Sequence, residues 1–224
     1  MRRASFACYA AAVFVACSSD ETRVVFSQLN WMEWPAEVRV SQPFRVRLVG
    51  FNAGCGEQRF DPGTTVDNSA VTFEPFFVFS GPPVFCPLPA TSTSATIPIV
   101  AFYDVRSPVA GLSPSVSRSY EVRGATNASV SPATPSALPV RTFGEIVVRT
   151  DSADSTRTNA GGQVSAARDS SGCVRIFAGV NDYVVENPPA DTATYWSAFV
   201  QGYLYRPSTP LCGDSVAFHL VSRN

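Results

Sequence analysis

A chain of 224 residues, 45% hydrophobic and 16% charged, holds one large or two small domains and is apolar enough to bury a core, which excludes a disordered chain. Its basic residues are 17 arginines without a single lysine, so the chemistry of a P-loop lysine and of a pyridoxal phosphate Schiff base is excluded. A formal net charge of -1 gives no electrostatic footprint for nucleic acid, and 18 prolines with 14 glycines suit a turn-rich all-β protein.

The chain opens on Met1-Arg2-Arg3, and Ala4 to Ala16 follow without a charge up to Cys17. A positive start and an apolar run too short to span a bilayer mark a cleaved secretory signal. The end of that run, Phe14-Val15-Ala16-Cys17-Ser18-Ser19-Asp20, resembles the lipobox of bacterial lipoproteins. The resemblance implies a signal peptide over 1–16, a lipid on Cys17 and a membrane partner reached through that lipid. Ser18 resembles an outer-membrane address, which implies a cell-envelope protein facing the periplasm or the cell surface. A tether from Cys17 to Arg23 reaches less than about 20 Å. It holds the first module close to the bilayer, where Trp31 and Trp34 are expected to touch headgroups.

The first module is read over 17–124, with strands expected at 36–40, 44–49, 71–79, 96–103 and 119–123. In Phe44-Arg45-Val46-Arg47-Leu48, Phe44, Val46 and Leu48 share one face, while Arg45 and Arg47 share the other. Short strands broken by Gly, Pro, Asn and Asp, with no helical period between them, predict a β-sandwich. Pro98 lacks a backbone donor and belongs on an edge strand or at a bulge. The run from Pro35 through Gln42-Pro43-Phe44 to Val46, with Gly54-Cys55, Phe85-Cys86 and Tyr120 to Gly124, is similar to exported bacterial immunoglobulin-like domains. That similarity covers about residues 35–124. It implies an Ig-like sandwich acting as a spacer, adhesion or interaction module.

Between the modules, 125–140 carries no charge and sets Pro132, Pro135 and Pro139 among Ser, Ala and Thr, the composition of an interdomain linker. A small β domain is expected over 141–224, with strands at 145–150, 164–167, 173–177 with 183–186, 196–205 and 215–221. Arg168-Asp169-Ser170-Ser171-Gly172 reads as a hairpin turn. Val216, Phe218 and Leu220 form one face of the last strand. Five strands in this order resemble small exported OB-like barrels, with a segment at 188–194 too short for the usual helix; an open sandwich is the alternative.

Six cysteines support export. Cys8 leaves with the signal and Cys17 takes the lipid, so Cys55, Cys86, Cys173 and Cys212 remain for two disulfides. Of three pairings, Cys55 with Cys86 and Cys173 with Cys212 is expected, each joining sequence neighbours within one module. No C-x-x-C pair is present to preorganise zinc, and no metal or cofactor is assigned.

His219, the single histidine, lies on the strand face opposite Phe218 and Leu220 and is read as structural. The oxygen-rich residues Asp151, Asp154 and Asn159 lack the spacing and the closing Glu of a calcium loop. With no catalytic motif found, the chain is expected not to be an enzyme. The aromatics Trp31, Trp34, Phe73, Phe76, Phe77, Phe79 and Phe85 are read chiefly as core. In 196–205 the odd positions Phe199, Tyr203 and Tyr205 share one face with Gln201. These three, with Trp196, are the candidate lining of a small-ligand or oligosaccharide groove. The expected function is thus a lipid-anchored binding, interaction or spacer module with an envelope protein or glycan partner. The alternative is a small-molecule or glycan-binding lipoprotein that uses its C-terminal β domain.

Overall fold

The structure, a computed structural model, describes residues 23–26, 29–40, 42–51, 58–61, 63–79, 98–106, 117–126, 139–151, 153, 156–179, 181–190 and 194–224. The regular structure among them is entirely strand: β1 (Arg23–Phe26), β2 (Leu29–Pro35), β3 (Glu37–Arg39), β4 (Pro43–Phe51), β5 (Gln58–Asp61), β6 (Thr64–Val66), β7 (Ala70–Phe73) and β8 (Phe76–Phe79). These are followed by β9 (Pro98–Arg106), β10 (Arg118–Ala125), β11 (Val140–Arg149), β12 (Thr158–Arg168), β13 (Val174–Ala178), β14 (Asn181–Val185), β15 (Tyr195–Tyr205) and β16 (Ala217–Arg223).

The C-terminal strands close into a barrel in the order β12-β13-β14-β16-β15 and back to β12. β14 and β16 run parallel, and the other neighbours are antiparallel. This is the expected OB-like barrel, and the described part of the β14–β15 connection contains no helix. Alternation fills it: Val164 and Ala166 of β12, Ile176 of β13, Val185 of β14, Val200 and Leu204 of β15 and Phe218 of β16 point inward into one cluster. The turn at Asp169 forms as expected, its Oδ1 accepting from the Ser171 N–H (2.9 Å), the Ser171 hydroxyl (2.6 Å) and the Cys173 N–H (3.0 Å). These donors, the Ser171 hydroxyl foremost, hold the Asp169 carboxyl below the ordinary carboxylate range.

β12 is long enough to serve two structures. One edge pairs with β15 from Thr158 to Ala167, while the other pairs with β13 over Ser165–Arg168 and with β2 over Thr158–Gly162. The barrel sheet therefore continues through β2 and β4 to β9. β9 begins at Pro98 and is an edge strand among the described residues, as its missing donor requires. Where β2 and β12 meet, a side chain on Gly162 (φ +152) would place its Cβ 1.9 Å from the Asn30 carbonyl oxygen, so only glycine fits. Trp31, Gly162, Val200 and Arg223 stand opposite one another in a line across four strands. Asn224 finishes the last of these by exchanging backbone hydrogen bonds with Phe199 (2.9 and 3.0 Å).

A second sheet, β3-β11-β10-β7-β6, faces the β2 and β4 part of the first. Met32, Trp34, Val46 and Leu48 on one side meet Val71, Phe73, Tyr120, Phe143, Ile146 and Val148 on the other in a second core. The two facing sheets make a sandwich-like layer. Two of the pairings, β10 with β7 and β11 with β3, are parallel, whereas the immunoglobulin pattern is built from antiparallel sheets. A three-stranded sheet, β1-β8-β5, completes the described strands.

Two expectations are corrected here. The ends of the 125–140 segment are bonded to each other: Ala125 pairs with Val140, and the Thr126 N–H donates to the Pro139 carbonyl at 2.9 Å. β11 then adds to β10 and supplies Phe143, Ile146 and Val148 to the first core, so the segment joins two antiparallel neighbours instead of separating two modules. Trp31 and Trp34 are not available to headgroups, being 0% and 1% exposed. They point to opposite faces of β2, which has a hydrophobic core on each side, and each indole N–H is bonded inside, Trp31 to Glu33 and Trp34 to the Glu145 carbonyl, both at 2.9 Å.

Candidate functional site

β2 and β4 pair antiparallel with Glu33 opposite Arg47, so these two project from one face, together with Trp31 and Val49. Val49 and Trp31 run under the barrel. Glu33 and Arg47 lie just beyond, where Tyr183 of β14 reaches over them. Arg47 is bonded to Glu33 Oε1 and donates to the Tyr183 hydroxyl at 3.3 Å, although it is only 8% exposed. The same Glu33 oxygen accepts from Trp31 Nε1 (2.9 Å) and from the Tyr183 hydroxyl (2.7 Å), and Asn181 Nδ2 donates to that hydroxyl at 3.0 Å. Burial, with the Glu33 carboxylate beside it, pushes the Tyr183 phenol up to about 12. Tyr183 stacks on Trp31 with centroids 6.1 Å apart, and Phe218 closes the other side at 5.5 Å. One polar cluster thus ties the barrel to β2 and β4.

Above this cluster opens a cleft of about 700 Å³. Glu33 and Arg47 reach it from below, Pro35, Pro43 and Phe44 supply apolar wall, and Arg39 at the end of β3, Gln42 in the β3–β4 turn and Arg45 on β4 complete the lining. Glu37 lines it too, held by two bonds from Arg149 at 2.6 and 2.7 Å. That pairing raises the Arg149 guanidinium further above its ordinary value.

The four residues singled out in 196–205 do not form one groove. Phe199 is 3% exposed and lies in the first core, edge-on to Phe143 at 5.0 Å with the Arg141 guanidinium 3.8 Å from its ring centroid. Trp196 points to the barrel side, packed against the barrel core with Arg223 over its ring at 5.3 Å, and its Nε1 is buried without a hydrogen-bond partner among the described residues. Tyr203 and Tyr205 stay together on the outer face, 6.1 Å apart. Both faces of Tyr203 are covered, by His219 at 4.7 Å and by the Arg157 guanidinium at 3.8 Å. His219 Nδ1 lies 2.5 Å from Glu186 Oε2. Bonds from His219 and then Tyr205 hold Glu186 below the ordinary carboxylate range, while partial burial and that carboxylate push Tyr205 up to about 12.

No family model, curated protein or solved structure matches the chain.

The expected Cys173–Cys212 disulfide is present, with Cα atoms 6.4 Å apart. It joins the β12–β13 turn to the loop between β15 and β16. Arg175 reinforces the same junction, donating to Asp214 at 2.6 Å and lying 3.7 Å from Asp169. Cys17, Cys55, Cys86 and Asp154 lie outside the described residues. Asn159 uses its Nδ2 on the Glu145 carbonyl at 2.9 Å.

The cleft and its polar floor are missing from the expected site residues. The alternation in β4 placed Arg45 and Arg47 on one face, yet nothing local joins them to Tyr183, which lies 150 residues beyond Glu33. A usable signal was present in Leu29-Asn30-Trp31-Met32-Glu33-Trp34, where large apolar residues at both odd and even positions mark a strand buried on both faces.

Proposed function

We propose that the chain is an exported, lipid-anchored protein of the bacterial cell envelope that works by binding or spacing and does not catalyse a reaction. The observation that carries this reading is the Cys173–Cys212 disulfide, since such a bond persists in oxidising compartments and agrees with the signal and lipobox pattern of residues 1–20. The polar groups support a binding role. Glu33, Arg47 and Tyr183 hold one another in fixed positions, and His219 is tied to Glu186 on an outer face. Fixed donors and acceptors beside an open cleft are what a recognition surface needs.

The test is the intact mass of the protein extracted from its own membranes, before and after reduction and alkylation. The expected result is a lipid-modified Cys17 with Cys173 and Cys212 alkylated only after reduction. An unmodified Cys17 and thiols that alkylate without reduction would overturn the reading.

A further inference from the structure

At the floor of the cleft two charges are largely shut away from water, Arg47 with 9% and Glu33 with 12% of the side chain exposed. Burying an ion pair is costly, and the pair is stable here because further donors complete it. Those donors all converge on one oxygen: Trp31, Arg47 and Tyr183 bond Glu33 Oε1, and Oε2 accepts from none of the described residues. The floor therefore offers an acceptor, Glu33 Oε2, held rigidly beside a guanidinium.

Toward the rim Arg45, Arg39 and Gln42 carry donors, and Glu37 is held by Arg149, which bonds both of its carboxylate oxygens. The lining sets three guanidinium groups beside two carboxylates, so charged donors and acceptors lie side by side around the cleft. A neutral ligand whose every group both donates and accepts finds a partner for each. Adjacent hydroxyls of a sugar have that property. Pro35, Pro43 and Phe44 lie between the polar groups and suit the C–H faces of a sugar ring. A volume of about 700 Å³ is in the usual range of ligand sites. We infer that this cleft binds a neutral oligosaccharide, with Glu33, Arg47 and Arg45 bonding its hydroxyls. This rests on the reading of the chain as a binding protein, and it places the ligand at the junction of barrel and sandwich instead of on the Tyr203–Tyr205 face.

The experiment is calorimetric titration of the full-length, detergent-solubilised protein with a library of neutral di- to tetrasaccharides, with citrate and spermidine as charged probes. At least one neutral sugar is expected to bind saturably, and Arg45→Gln and Gln42→Ala, both at exposed rim positions, are expected to weaken it about tenfold each at unchanged melting temperature. Val221→Ser, on the outer surface of β16, is expected to leave it unchanged. The inference is overturned by citrate or spermidine binding in place of sugar, by the absence of any saturable sugar below about 10 mM, or by sugar binding insensitive to both rim variants. Its failure is separable from failure of the envelope reading, which the mass of Cys17 decides independently.

Discussion

Arg47 shows how much of a residue's role depends on distant chain. Alternation alone puts it on the polar face of β4, and that face is polar, but Tyr183 and Glu33 enclose it. Replacing Arg47 by Leu leaves Glu33 charged, mostly buried and short of its cation, a loss of about 3 kcal/mol. Adding Glu33→Gln should recover part of that loss, because the uncompensated charge is then gone. Urea unfolding of both single variants and the double variant measures the coupling, and strictly additive effects would show that the two do not act as a pair. Gly162 makes the complementary case, a residue needed for having no side chain. Its missing Cβ lets the Asn30 carbonyl approach, so Gly162→Ala should part β2 from β12 and cost at least about 2 kcal/mol. A red shift of Trp31 emission would report the parting, and unaltered emission with unaltered stability would refute it.

Among the elements, the most legible were those whose pairing is local. The hairpin turn at Asp169 followed from its residues, and so did the outward face of His219 and the inward face of Phe218 and Leu220. The Asp169 turn also carries a pH dependence with a defined sign. A carboxyl held below its ordinary value near 4 stabilises the fold above that pH and ceases to do so as pH falls through its folded value. The gap in urea midpoint between the native chain and Asp169→Ala should therefore stay constant from neutral pH to about 5 and narrow below about 4. A gap that persists unchanged to about pH 2 would contradict this origin. β11 was the element least open to sequence reading. Its strand character was partly visible, but its attachment to β10 was hidden by a proline-rich segment whose composition is the same whether it links domains or closes a long hairpin. Trp196 and Phe199, three positions apart in a run read as one aromatic feature, went to opposite sides of β15 for the period-2 reason that sequence does show; what it did not show is that each side faces a different core.

The whole molecule is organised around sharing. β12 belongs to the barrel along one edge and, along the other, divides itself between β13 and β2, so neither core is complete without the other unit. A fragment comprising 141–224 keeps all five barrel strands, yet it loses Trp31 and Val49 from the barrel core and bares the apolar face of β11. Such a fragment is expected to lack dispersed amide resonances in a proton–nitrogen NMR spectrum and to aggregate, while the full chain melts in one transition. A well-dispersed spectrum from the fragment would mean that the barrel is independent after all.

The line of residues from Trp31 through Gly162 and Val200 to Arg223 also has a mechanical meaning. Three strand spacings of about 4.8 Å put the entry of β2 and the end of β16 within about 14 Å of each other, side by side across the sheet. Tension between those two points acts along the hydrogen bonds and not along the strands. The bonds are then stretched in sequence, as in the opening of a zip, so this sheet is soft to a pull between those two points and stiff to a pull along its strands.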